Sequence, residues 1–275
     1  MRLFEIMTWL DVVELVGLLT LPVFLAVDLF WRDKLFATPK FWRGRASVVT
    51  IANFYLAGYV ALFWSWVFEG RSLFNGAAMG TIGGAAVGIL LYELVHYGYH
   101  RLAHGWDWLW RVSHQMHHSA ESIDAFGAYY LHPLDNIFFS SWGSLVFFPL
   151  LGLSPEAGLV ASVFLVFNGV FQHANIRTPR WVGYLIQRPE SHRVHHGRGV
   201  HRKNYSDLPL WDMVFGTFKN PDDEGAPEAG FYNGASSRIA EMLMFKDVSE
   251  PLRQREKALS LWKCVPIPFS RGSSY

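Results

Sequence analysis

His100-Arg101-Leu102-Ala103-His104, His114-Gln115-Met116-His117-His118 and, far downstream, His192-Arg193-Val194-His195-His196 are the stretches around which this chain is organised. Twelve histidines stand in 275 residues, and eight of them fall in these three clusters. In a helix, positions i, i+3 and i+4 lie on one side of the cylinder within about one turn, so each His-x-x-His-His run is expected to bring three imidazoles to one point. Convergent imidazoles suit Fe, Zn, Cu or Ni, and the single cysteine, Cys264, is remote from them all. A structural zinc is saturated by about four ligands, so this many imidazoles points to two ions. A solvated histidine tract or an appended tag does not fit, because the clusters are internal and separated by apolar sequence.

Outward from the clusters, composition points to a membrane. The chain is 51% hydrophobic and only 17% charged, with a mean hydropathy of +0.14. That is too apolar for an ordinary soluble domain. A net charge of +1 leaves no electrostatic case for nucleic acid as a partner. One cysteine excludes an internal disulfide and fits a reducing compartment. The start carries Glu5, Asp11 and Glu14 rather than the basic opening of a signal peptide, so the first apolar run is expected to stay.

Apolar runs over 15–31, 47–68 and 77–95 read as three spans, the first interrupted by Asp28 and Pro22. Arg32, Lys34, Lys40, Arg43 and Arg45 form the densest basic loop, which the positive-inside rule places in the cytoplasm. Gly80, Gly83, Gly84, Ala85, Ala86 and Gly88 let the third span pack closely. This span runs straight into His96–His104. Trp106, Trp108 and Trp110 follow, as at a headgroup level. Runs over 137–153 and 157–171, joined by Ser154-Pro155-Glu156, read as a helical hairpin that enters the membrane and returns. An even number of crossings then puts every cluster on the cytoplasmic face. The fold expected is all-α and multi-pass, with four to five spans and a cytosolic histidine-rich cap. It is one domain over 1–275, with a core at 75–220 and a tail at 221–275. Short surface helices are expected over 238–245 and 251–262, with a loose end over 269–275. No ER retrieval signal ends the chain, which points to a bacterial inner membrane rather than the ER.

The remaining histidines divide. His173 stands at the end of the fifth run, on the cluster face, and reads as a ligand. His96 shares a helical face with His100 and His104 but reads as an interfacial residue, and His132 before Pro133 as a structural one. His201, after a Gly-Arg-Gly turn, reads as a rim residue. Ligating imidazoles need their second nitrogen held, for which Glu93, Glu121, Asp124, Asp135, Glu190 and Asp207 are near enough in sequence. Zinc in such a site is inert to redox change, whereas iron activates dioxygen.

These motifs resemble the fatty acid hydroxylase/sterol desaturase superfamily, membrane di-iron enzymes with one His-x-x-x-His and two His-x-x-His-His boxes. The likeness covers roughly 75–220 and includes His132-Pro133-Leu134-Asp135, Gln172-His173-Ala174-Asn175, Asn204-Tyr205 and Phe215-Gly216-Thr217-Phe218. The last box and its sequel are most similar to the alkylglycerol monooxygenase branch and its bacterial relatives. The resemblance implies two irons, with zinc or another metal able to replace them on purification. It implies as ligands His100, His104, His114, His117, His118, His192, His195 and His196, with His173 the ninth. His96, His132, His201, Glu121 and Asp124 are expected around them or at the rim. The implied reaction hydroxylates a fatty acyl, alkyl-ether or sterol-type C–H bond with O2 and two external electrons from a ferredoxin, a cytochrome-type carrier or a reduced pterin. Asp124 stands where relatives often carry Asn, and Tyr130 where they often carry Arg, so head-group chemistry is expected to differ. Two other readings stay open: a sterol or carotenoid desaturase with the same centre, and a histidine-rich metal- or haem-binding membrane carrier. The carrier predicts ionisable residues inside the spans, and 47–68 has none.

Overall fold

The computed structural model describes residues 8–251, so the expected elements over 252–262 and 269–275, with Glu5 and Cys264, lie outside it. Among the described residues there are ten α-helices and no strand: α1 (Trp9–Phe30), α2 (Trp42–Val67), α3 (Gly80–Gly105), α4 (Asp107–Leu109), α5 (Gln115–His118), α6 (Pro133–Leu145), α7 (Pro155–Phe171), α8 (Pro189–His195), α9 (Pro209–Val214) and α10 (Ile239–Leu243). The α1 helix begins earlier than hydropathy placed it because Thr8 and Asp11 form a capping box, with Thr8 N donating to the Asp11 carboxylate at 2.6 Å. The third apolar run and the first histidine cluster are one unbroken 26-residue helix. The hairpin begins at Pro133 rather than 137, since proline suits the first helical turn and the His132 ring accepts from Leu134 N at 3.1 Å. A π-helical turn, Val146–Leu150, extends α6 before the chain reverses into α7.

Three helices, Trp9–Phe30, Trp42–Val67 and Gly76–Gly105, are long and apolar enough to cross a membrane, and Pro155–Phe171 is a shorter apolar helix. The expected four to five spans are therefore three full-length helices and a shorter hairpin. The hairpin packs by α6 on α2 and by α7 on both α1 and α3. Contact between α3 and α7 is close because the facing positions are small: a Cβ at Gly84 would stand 3.1 Å from Ala157, and one at Gly88 only 2.9 Å from Leu153. Outward-facing Leu18, Phe30, Tyr55 and Leu62 are each more than two-thirds exposed, as a lipid-facing surface requires.

At the polar end, long-range bonds gather the loops. Asp28, buried in α1, accepts from the backbone of both Ala125 and Asn175. Arg193 of α8, also buried, donates to Asp33 at 3.0 Å and to Asn175 at 3.0 Å, which ties the last histidine cluster to the loop after α1. Trp42, Met116, Tyr130, Met242 and Val248 form a separate apolar core that presses α10 and the following residues onto α5.

Candidate metal centre

Nine buried or half-buried imidazoles meet in two groups. One holds His100, His104, His114, His118 and His195, and the other His117, His173, His192 and His196. The His-x-x-His-His runs do not each converge on a single point, as helical spacing suggested. Successive positions on a helix are about 100° apart, so neighbours such as His117 and His118 diverge. The first run gives two rings to the five-membered group and one to the other; the second run does the reverse. A π-helical turn, Trp110–His114, delivers the first of these rings. His173 reaches the four-membered group because the α6–α7 hairpin returns it there.

Hydrogen bonding shows what these rings await. The Nδ1–H of His100 donates to the Tyr205 carbonyl at 2.6 Å, that of His114 to Asp135 at 2.7 Å, that of His173 to the Gly169 carbonyl at 2.7 Å and that of His195 to the Lys203 carbonyl at 2.7 Å. An oxygen acceptor fixes the proton on Nδ1 and leaves Nε2 a bare lone pair. Yet the Nε2 atoms of His100 and His114 face each other at 2.9 Å, and the buried Nε2 of His195 has no partner. In the second group Nε2 of His173 is 3.1 Å from that of His117 and 3.0 Å from that of His192. The opposed lone pairs of His100 and His114 at this range call for a cation between them. These Nε2 pairs, 2.9–3.1 Å apart in both groups, stand close enough to share one ion in each.

Electrostatics agrees. Burial, reinforced by neighbouring imidazoles, holds His117, His118, His192, His195 and His196 well below the ordinary histidine range, and burial takes His173 down to about 4. These rings are neutral at pH 7, the form a metal requires. Because their folded-state values lie below the unfolded value of about 6.5, protons bind the unfolded chain first as pH falls. Metal-stripped protein in detergent should therefore keep a constant melting temperature above pH 7. Each such histidine should cost it about 1.4 kcal/mol per pH unit as pH falls below about 6.5. Thermal melts between pH 5 and 8 check this, and a melting point that rises on acidification contradicts it.

The loop after α8 holds three rings of the five-membered group. Its carbonyls at Lys203 and Tyr205 take His195 and His100, and His201 Nδ1 lies 3.0 Å from His118 Nδ1. His201, Lys203 and Asn204 all have φ in the left-handed region, at 39°, 68° and 53°. Asn204 clamps that backbone: Nδ2 donates to the Ser191 and Lys219 carbonyls at 2.8 Å each, and Oδ1 accepts from Lys219 N at 2.7 Å. Asn204→Ala should cost about 3–5 kcal/mol, from three unmet buried bonds and a conformation that alanine resists. A thermal melt with metal analysis should show both a lower melting point and metal lost from the five-membered group.

Other expected residues lie elsewhere. His96 joins neither group; it stacks on His100 at 5.5 Å and sits with Glu93 and Asp207 in a third, smaller cluster. His132 caps α6. Glu121, expected at the rim, instead pins Gly234 and Ser236, and Asp124 instead receives Trp42 Nε1 at 3.0 Å and Ser122. Both follow α5 on the side facing α2 and α10, away from the imidazoles. Glu93 accepts from Ser206 Oγ, Asp207 N and Leu208 N, and Asp212 from Tyr205 N and Ser206 N, which sets the loop that carries the Tyr205 carbonyl.

A cavity of about 460 Å³ adjoins both groups. Its walls include Phe54, Ala57, Phe147 and Val166 from the apolar helices, and His100, His114, His117, His173 and His192 at the metal end. Asp207, Gln172 and Tyr129 add polar groups to the lining, with Gln172 Nε2 donating to Asp207 at 2.7 Å.

Residues 85–217 match the family described as Fatty acid hydroxylase. The alkylglycerol monooxygenase of Danio rerio is 34% identical over 139 residues, covering 48% of this chain and 30% of that protein. The ornithine lipid hydroxylase OlsE of Rhizobium tropici is 28% identical over 184 residues, covering 64% and 55%. Sphinganine C4-monooxygenase 1 of Arabidopsis thaliana is 24% identical over 147 residues, covering 52% and 56%. The matched part thus spans between 30% and 56% of the length of these curated relatives. No solved structure matches the chain.

Proposed function

We propose, from the match of residues 85–217 to the fatty acid hydroxylase family, that this chain is a membrane oxidoreductase that uses O2 to hydroxylate a C–H bond of a lipid. The observation that carries this reading is one cavity with walls from the apolar helices and two clusters of converging imidazoles at its end. His100, His104, His114, His118 and His195 would hold one iron, and His117, His173, His192 and His196 the other. Iron bound there would supply the dioxygen-activating redox chemistry that no side chain provides.

The chain's own residues do the rest. Asp135, with Tyr99 donating to it at 2.9 Å, orients His114, while backbone carbonyls orient His100, His173 and His195. The lipid tail enters laterally between α2, α6 and α7, against Phe54, Ala57 and Val166. Burial, then the neighbouring Glu93 charge, pushes Asp207 up to about 7, so it accepts from or donates to a hydroxyl or amine of the substrate. The relatives' names carry such heads: alkylglycerol, ornithine lipid and sphinganine. The carbon attacked is accordingly one near a polar head rather than at mid-chain. The metal end lies on the cytoplasmic side, because Arg193 ties it to the basic loop that follows α1.

The test is metal content and oxygen uptake of detergent-held protein against polar-headed lipids, with mass spectrometry of the product. About two irons per chain and a product one oxygen heavier, with the hydroxyl near the head, are expected. Lipid-independent oxygen uptake, or equal activity of a zinc-loaded protein, contradicts the reading; a product two hydrogens lighter would make the enzyme a desaturase.

A further inference from the structure

Hydroxylation as proposed above balances as R–H + O2 + 2 e⁻ + 2 H⁺ → R–OH + H2O, so two electrons must enter from outside. We infer that the loop over 198–203 is the docking surface for an acidic one-electron carrier protein; the inference rests on the oxygenase reading and adds its partner. Arg198, His201, Arg202 and Lys203 fall within six residues, and no acidic residue occurs over 191–206. Arg202 and Lys203 are exposed, while Arg198 is half-buried beside Glu228 at 2.9 Å.

This basic surface is wired to the metal site. The half-buried His201 ring packs against Trp110 and Phe231, with centroids 5.9 and 5.2 Å away, and its Nδ1 meets the His118 ring at 3.0 Å. The Lys203 and Tyr205 carbonyls hold His195 and His100. All three contacted rings belong to the five-membered group, and of these His118 and His195 do not line the lipid cavity while His100 does. The exposed side chains of Arg202 and Lys203 are not part of the cavity lining, so a carrier docked on them leaves the lipid entrance open. The left-handed backbone at His201, Lys203 and Asn204, clamped by Asn204, keeps the loop rigid, which lowers the cost of docking. An anionic lipid surface would also be attracted to Arg202 and Lys203, but it delivers no electrons and has no use for the contacts behind them.

The experiment follows reduction of the iron-loaded, full-length protein anaerobically by stopped flow. One reductant is a reduced plant-type [2Fe–2S] ferredoxin as the acidic carrier, the other dithionite as the small-molecule control. With ferredoxin, the wild-type rate should fall several-fold between low and high salt; Arg202→Glu should slow it about tenfold and Arg202→Gln less, with dithionite reduction unchanged. A wild-type rate that ferredoxin cannot support or that ignores salt, or an Arg202→Glu protein reduced at the wild-type rate, overturns the inference. So does an Arg202→Glu defect confined to binding vesicles of phosphatidylglycerol, which would make the loop a lipid contact. Failure of the oxygenase reading is seen separately, as dithionite-reduced protein that binds no iron or consumes no O2 with lipid.

Discussion

Alanine at His195 is expected to abolish lipid turnover, by at least about a thousandfold, while the protein still inserts into membranes. Ligand-orienting neighbours alone are commonly worth about 10–100-fold in metal affinity or activity, and a ligand is worth more. His195 is fully buried, its Nε2 points into the five-membered group, and its Nδ1 is anchored on Lys203. Because the imidazoles form two groups, iron should fall from about two per chain towards one rather than to none. His117→Ala should give the same partial loss from the opposite group. Insertion should survive both, since neither residue lies in an apolar run that α1, α2 or α3 supplies. His132→Ala should be far milder and keep its iron, because that ring caps α6 and packs on Phe245 but joins neither imidazole group. Metal analysis, product assay and carbonate extraction of membranes check these outcomes. Activity that persists in both His195→Ala and His117→Ala removes the ligand assignment.

Gly143→Phe is expected to cut lipid turnover by at least about a hundredfold while leaving iron in place. Gly143 lines the cavity, and a Cβ built there meets only the Tyr92 ring at 3.5 Å, an ordinary contact. The backbone thus tolerates a side chain, and a benzyl group projects into the space the lipid chain would occupy. The distinguishing measurements are unchanged iron and unchanged dithionite reduction beside lost product. A smaller Gly143→Ala substitution should reduce turnover less and shift preference towards shorter chains. Full activity in Gly143→Phe would show that substrate reaches the metal by another route.

The apolar runs over 47–68 and 77–95 and the three histidine clusters were legible because hydropathy and short spacing are local properties. His173 was legible by parity, since a hairpin that leaves the polar end must return to it. How the boxes divide was not: spacing says which side of a helix a ring takes, but the facing helices decide which centre it joins. The Lys203 and Tyr205 carbonyls were hidden because a backbone oxygen looks alike at every residue. The loop-setting roles of Glu93, expected as an imidazole's partner, and of Asp212 were hidden, since the backbone donors they collect become adjacent only after the loop over 204–208 has folded. The early start of α1 was signalled by Thr8 and Asp11, three residues apart, a capping pair that hydropathy overlooks.

The carboxylate of Asp28 has a bearing on biogenesis. It sits near the end of α1, and its second donor, the amide of Asn175, is synthesised 147 residues later. A lone carboxylate in an apolar helix is poorly tolerated until its partners arrive. The seat of α1 is therefore complete only once the loops on either side of the hairpin have folded against it. A chain cut short before Asn175 would leave that carboxylate with one of its two backbone donors missing.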